Sequence, residues 1–179
     1  MSALPIPGLA VLRSGTPPDD MVFIEGEVVL PSWAASTADG KGTVAMAVGG
    51  DMVLDVPEVT PGHVRAYAHL TAQQSDVKAV LLTALLPWYN EQRVELADGY
   101  FDMPPIDGTA ALEEMITLST VHLLNVYRED MAYVGYEFTC PWEEEHGLGV
   151  MMHGDRVVSI GHADQSFLTW VAREDGGEE

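Results

Sequence analysis

The sequence predicts an α+β domain with a mostly antiparallel β-sheet, and three observations lead there. Strand-like alternation fills the first third, helical spacing fills the middle, and strand–turn–strand patterns return in the last third. Neither an internal repeat nor a shift in composition divides the chain. Its 179 residues, 47% of them hydrophobic, are therefore expected to form a single domain over 1–179, burying roughly 70% of the unfolded surface.

Residues 1–20 read as an extended lead-in, interrupted by Pro5, Pro7 and Gly8. "MVFIEGEVVL" (21–30) alternates as a strand, with Val22, Ile24, Val28 and Leu30 on one face. After the loop "PSWAASTADGKG", "TVAMAV" and "MVLDV" flank Gly49-Gly50, a pairing that predicts a two-residue hairpin because both glycines tolerate positive φ. Helix starts at Thr60, an N-cap followed by Pro61 at the first helical position. Ser75 either caps a second helix or marks a bend, and Val77, Leu81 and Leu85 form its apolar stripe. Pro87 is expected to kink or end that helix, with "WYNEQR" able to continue it. A loop over 97–108 leads to a short helix capped by Thr109.

The last third reads as a β-meander. "STVHLLNVY" and "MAYVGYEF" flank a three-residue loop, Arg128-Glu129-Asp130, and "GLGVMMH" and "RVVSIG" flank Gly154-Asp155. Ala132, Val134, Tyr136 and Phe138 share one face of their strand. Met151 and Met152 point to opposite faces, which predicts that only one of them is core. The tail "REDGGEE" (173–179) is expected to fray.

Charge is the compositional outlier. Twenty-eight acidic residues against eight basic ones give a formal net charge of −20. Nucleic acid and anionic membranes would repel such a chain, whereas a basic protein partner would be attracted and steered. The N-terminus lacks the basic start of a signal peptide, and the longest apolar run, "VLLTALLPWY", is about half a membrane span. A lone cysteine, Cys140, excludes an intrachain disulfide. These features predict a cytoplasmic protein.

Chemistry-bearing residues concentrate in "CPWEEEHGLGVMMHGDRVVSIGHAD" (140–164). A hairpin turning at Gly154-Asp155 sets Val150 opposite Ser159, Gly147 opposite His162 and His146 near Ala163. His146 and His153 then stand roughly 23 Å apart along one strand, too far to share an ion. The hairpin has two polar ends. At the tip are His153, Asp155 and Arg156; at the base, Glu143 to His146 meet His162 and Asp164. The base offers Glu145, His146, His162 and Asp164 as a candidate divalent-metal set. The competing reading is a hairpin whose polar ends are merely solvated. His153 beside Asp155 resembles an oriented base, but a turn tip lacks the concavity that catalysis needs. A Cys140–His146 nucleophilic pair would need the loop to fold back, with no third residue to orient it. The four tryptophans are expected in the core. Gly147 and Gly149 leave one strand face bare, inviting an aromatic filler such as Trp142 or Tyr136. No phosphate loop, dinucleotide fingerprint, nucleophile elbow, H-E-x-x-H helix or Cys-rich zinc motif is present.

"YVGYEFTCPWEEEHGLGVMMHGDRVVSIGHAD", from Tyr133 to Asp164, resembles the hallmark of an uncharacterised bacterial domain family. That hallmark is an aromatic-rich strand, a Trp-(Asp/Glu)-x-Glu-His-Gly-Leu-Gly-Val segment, then a His and an Asp-Arg-Val strand. By the resemblance, Trp142, Glu145, His146, His153, Asp155 and Arg156 occupy motif positions and are the candidate binding residues, with Gly147 and Gly149 between them. His162 departs from the pattern, which usually has a small residue there. The resemblance implies no activity; by fold-level analogy it implies an accessory or immunity-like protein. The leading expectation is thus a non-enzymatic binding domain for a basic partner. The alternative is a metal-binding domain or metal-dependent hydrolase built on the hairpin base.

Overall fold

A computed structural model of the chain describes residues 4–15, 21–51, 58–96 and 103–177. The α+β expectation holds. Seven strands form one sheet in chain order: β1 (Leu9–Ser14), β2 (Met21–Val29), β3 (Thr43–Gly49), β4 (Thr117–Arg128), β5 (Met131–Thr139), β6 (Leu148–His153) and β7 (Arg156–Gly161). Every neighbouring pair is antiparallel except β3–β4, which is parallel from Ala45↔Thr120 to Gly49↔Leu124. A parallel pair needs a crossover, and the helices α1 (Pro61–Ala72), α2 (Gln74–Glu95) and α3 (Thr109–Met115) lie within it. No helix among the described residues is long and apolar enough to cross a membrane.

The lead-in is more structured than its sequence indicates. Leu9–Ser14 pair with Met21–Gly26, and Ile6 is buried in the core. The hairpin expected at Gly49-Gly50 does not form around β3, because β2 and β4 occupy both its edges; its proposed second strand, 52–56, lies outside the described residues. The two glycines, with φ of 130° and 82°, instead turn the chain toward α4 (Thr169–Gly176). There the Asp51 carboxylate accepts hydrogen bonds from the Thr169 backbone N–H (2.8 Å) and hydroxyl (2.7 Å), satisfying a donor at the helix start.

The crossover helices pack their apolar stripe on one sheet face. Val77, Leu81, Leu85 and Tyr89 of α2 join Val121, Val134, Tyr136, Phe138 and Val150 in one core. Trp33, on a 3₁₀ segment (Pro31–Ser36), stacks at 6.1 Å on Tyr136 and lies 5.7 Å from Phe138. α2 runs through Pro87, since Leu85 and Tyr89 on either side of it are both fully buried and tertiary packing holds the two halves in line. α3 starts from Gly108 rather than a Thr109 cap; Thr109 is its first helical residue.

Thr60 caps α1 with an unusual partner. His63 Nδ1 accepts from the Thr60 backbone N–H at 3.0 Å, completing a reciprocal capping box, while Nε2 lies 3.0 Å from the Leu124 carbonyl. These contacts require the neutral ring with its proton on Nε2. Burial pushes the His63 pKa down.

The opposite sheet face has its own cover, which corrects the expectation for the methionines. Met152 joins the main core, and Met151 packs with Leu124, Val126, Tyr133 and Ala172 of α4. Both are buried. Between β7 and α4, a 3₁₀ segment (Ala163–Ser166) lies flat on the sheet. An added Cβ at Gly135 would overlap the Ser166 backbone, and one at Gly149 would lie 2.7 Å from the Ala163 carbonyl oxygen. The bare face left by Gly149 is thus filled by backbone, not by an aromatic side chain.

The tail is anchored as far as α4 extends. Asp175 accepts a bidentate pair from Arg156 (2.7 and 2.6 Å) and a bond from the Tyr133 hydroxyl (2.7 Å), with Arg128 at 3.4 Å. Arg156 holds the Asp175 carboxyl well below the usual carboxylate range. The Arg128 loop closes in two residues, since Arg128 pairs Met131 and Glu129 and Asp130 both adopt positive φ (50° and 61°), the form matched to strand twist.

Two predictions follow from these packing and proton contacts. Gly135→Ala should cost about 3 kcal/mol in urea unfolding, because rigid backbone meets the new methyl. In acid, His63 supplies stability that is full above its ordinary pKa of 6.5 and falls below it, since the unfolded chain takes up the proton first. Asp175 acts in a separate window below 3.8. Melting curves of the wild type and His63→Gln, whose amide can keep the capping box, should converge toward pH 5.

Candidate functional site

Among the described residues, the base of the β6–β7 hairpin gathers Glu143, His146 and His162 with their ligand atoms within 4.8 Å of one another. Glu143 to Gly147 form a turn closed by the Gly147 N–H donating to the Glu143 carbonyl at 2.9 Å, with Gly147 at φ 62°. Three residues apart in that turn, Glu143 and His146 face the same side. The Ala163 N–H donates to the His146 carbonyl at 2.8 Å, which brings His162 alongside. The two imidazoles stack at 5.0 Å with an interplanar angle of 20°. Glu143 serves both: its Oε1 is 3.0 Å from His146 Nδ1 and its Oε2 is 3.9 Å from His162 Nε2.

Of the residues expected to share an ion, the structure brings together His146 and His162. The carboxylate is Glu143. Glu145 and Asp164, both exposed, stay outside the cluster. The expected strand register misses by one residue, because a bulge between Met151 and Met152 pairs Val150 with Ile160 and Gly149 with Gly161. His146 still meets Ala163. Beside the cluster runs a groove of about 470 Å³, lined by Trp88 and Gln92 of α2 together with Trp142, Glu143, His162 and Asp164. Trp142 itself is buried, edge-on to Tyr89 at 4.9 Å.

The hairpin tip is a fastening. His153 Nε2 lies 2.9 Å from the Arg128 carbonyl, Asp155 lies 2.9 Å from His69 of α1, and Arg156 holds Asp175 of α4. The three side chains therefore tie β6–β7 to the neighbouring turn and to a helix on each side of the sheet.

A third feature has no signature in the linear sequence. The cover formed by α4 and the 3₁₀ segment Ala163–Ser166 stops at β4. Among the described residues, the same face of β1–β3 is open. Val29 is 59% exposed and Leu12 and Met21 each 47%. Glu25 and Glu27 stand exposed among them, and Phe23 is half-buried. Where this face meets the cover, Phe23, Glu25, Ala47, His122 and Phe167 line a pocket of about 270 Å³. His122 is held there by Glu137 at 2.7 Å and packs 5.2 Å from Phe167. Strand alternation supplies the apolar and acidic residues, but only the tertiary placement of α4 decides which part of the face stays open.

The architecture defines an α+β domain with a mixed, mostly antiparallel seven-stranded sheet, helices on one face, and a partial cover on the other. The chain belongs to DUF6985, a domain of unknown function, whose model matches residues 25–168. The match begins within β2 and ends just before α4. No curated protein and no solved structure matches the chain.

Cys140 is buried, and its Sγ lies 3.9 Å from the Glu143 carbonyl rather than in a pair with His146. Burial pushes its thiol from an ordinary 9.0 up to about 11. Trp170, expected in the core, is 55% exposed on α4. Native protein should therefore react with a disulfide reagent at neutral pH about 100-fold more slowly than the urea-unfolded chain, the ratio of their thiolate fractions. Absorbance of the released thiol measures it.

Proposed function

We propose that this is a non-enzymatic binding domain, accessory or immunity-like in kind, that receives a basic protein partner on the open sheet face of β1–β3. The observation that carries this reading is the set of exposed apolar residues Leu12, Met21 and Val29 interleaved with Glu25 and Glu27. Apolar residues gathered on one exposed face supply desolvation energy, and the interleaved carboxylates select a cationic counterpart. The formal charge of −20 extends that selectivity beyond contact range, attracting a basic protein and repelling nucleic acid and anionic membrane. The outer edge of β1 carries no strand partner among the described residues, so an extended segment can add to the sheet with its own backbone hydrogen bonds. The small pocket beside Phe23 and Glu25 suits one long cationic side chain, with its stem on the ring and its charge at the carboxylate.

A ten-residue peptide alternating Lys and Val is the probe, titrated into isotope-labelled protein at low salt. Amide shifts should concentrate in β1–β3 and weaken as salt rises. A Glu25→Lys, Glu27→Lys double variant, altered only at exposed positions, should bind at least about tenfold more weakly. Shifts scattered over the whole acidic surface, or affinity unchanged in the variant, would overturn the assignment.

A further inference from the structure

We propose that Nδ1 of His146, Nε2 of His162 and a carboxylate oxygen of Glu143 form a binding site for one divalent first-row transition ion of the zinc class. The three ligand atoms come from two chain segments joined by the Ala163–His146 backbone bond, and all lie within 4.8 Å of one another. A tetrahedral ion with bonds of about 2.1 Å separates its ligands by about 3.4 Å. Closure requires rotation of the two imidazoles, which are 58% and 59% exposed and not wedged into the core. Their backbones are already fixed by the turn and by the pairing with Ala163.

The donor set selects the ion. Two imidazoles disfavour calcium and magnesium, which take all-oxygen shells, and suit zinc, cobalt, nickel or ferrous iron. Two stacked rings sharing one carboxylate gain little as a hydrogen-bond arrangement, since Glu143 can satisfy one ring well and holds the second only at 3.9 Å. A cation among the three atoms uses all of them. Glu143 and His162 also line the 470 Å³ groove, so a three-ligand ion would keep its fourth position toward that groove, the arrangement of open zinc sites. The surrounding negative charge raises the local cation concentration. This site lies on β6, β7 and their flanking turns, away from the open face of β1–β3, so the two assignments stand or fall separately.

The test uses tag-free full-length protein titrated with Co²⁺ and followed by its visible absorption, then with Zn²⁺ in competition with a coloured chelator. One equivalent should bind with a tetrahedral-type cobalt spectrum, resist excess Ca²⁺ and Mg²⁺, and raise the melting temperature with the logarithm of free ion concentration. His146→Gln, His162→Gln and Glu143→Gln should each weaken affinity at least about tenfold, the loss known even for outer-shell partners. Their ion-free melting temperatures should stay near wild type, which separates ligand loss from misfolding. Several equivalents bound with no response to these variants would reveal adventitious ions on an acidic surface and overturn the site. An absent cobalt spectrum would do the same.

Discussion

Contact between backbone and backbone, across Gly135 and Gly149, is the constraint on which much of this molecule depends. The 3₁₀ segment Ala163–Ser166 reaches the sheet only because neither strand has a Cβ in its way. Once seated, it fixes the direction in which the chain leaves β7, and so the start of α4. α4 then delivers Ala172 to the second core and Asp175 to Arg156 and Tyr133. The same seating fixes Ala163 against His146, and thereby the stack of His146 on His162. Two glycines on adjacent strands thus decide both the second layer of the fold and the composition of the hairpin base.

The polar network follows a consistent division of labour. Polar groups at helix starts serve packing: the buried His63 caps a helix and joins α1 to β4, and the exposed Asp51 caps α4. Half-exposed and exposed groups serve attachment between layers, as at the hairpin tip. The hairpin base and the open face of β1–β3 each present chemically capable side chains to solvent. The two places differ in kind. One gathers lone pairs around a point; the other spreads apolar area between fixed negative charges.

The class of the fold was legible because periodicity switches twice along the chain, and each switch coincides with a change of element. The hairpin turns at Arg128–Met131 and Gly154-Asp155 were legible to within a residue from turn chemistry. What failed did so through tertiary causes. Gly49-Gly50 carries a strong local hairpin signal, yet β4 claims the edge that such a hairpin would use. Met151 and Met152 alternate between the two faces, and both are core because a second layer, of which their strand gives no sign, covers Met151. The bulge beside Val158 shifts the register by one, which no alternation pattern discloses. At the base, sequence identified both histidines; the carboxylate that reaches them depends on turn geometry, which puts Glu143 rather than Glu145 on their side.

The parallel seam between β3 and β4 has a kinetic meaning. All other strand pairings join consecutive segments and can form as local hairpins, so β1–β3 and β4–β7 are two ladders of short-range contacts. Closing the seam requires the intervening helices to condense first, paying the entropy of a long loop before any parallel hydrogen bond is gained. The seam between Ala45 and Gly49 thus joins two ladders that share one core, Val28, Val44 and Met46 on one side packing with Val121, Val134 and Val150 on the other. Parting the ladders would expose that shared core as well as break the parallel hydrogen bonds, so the seam is sealed by side chains as much as by backbone.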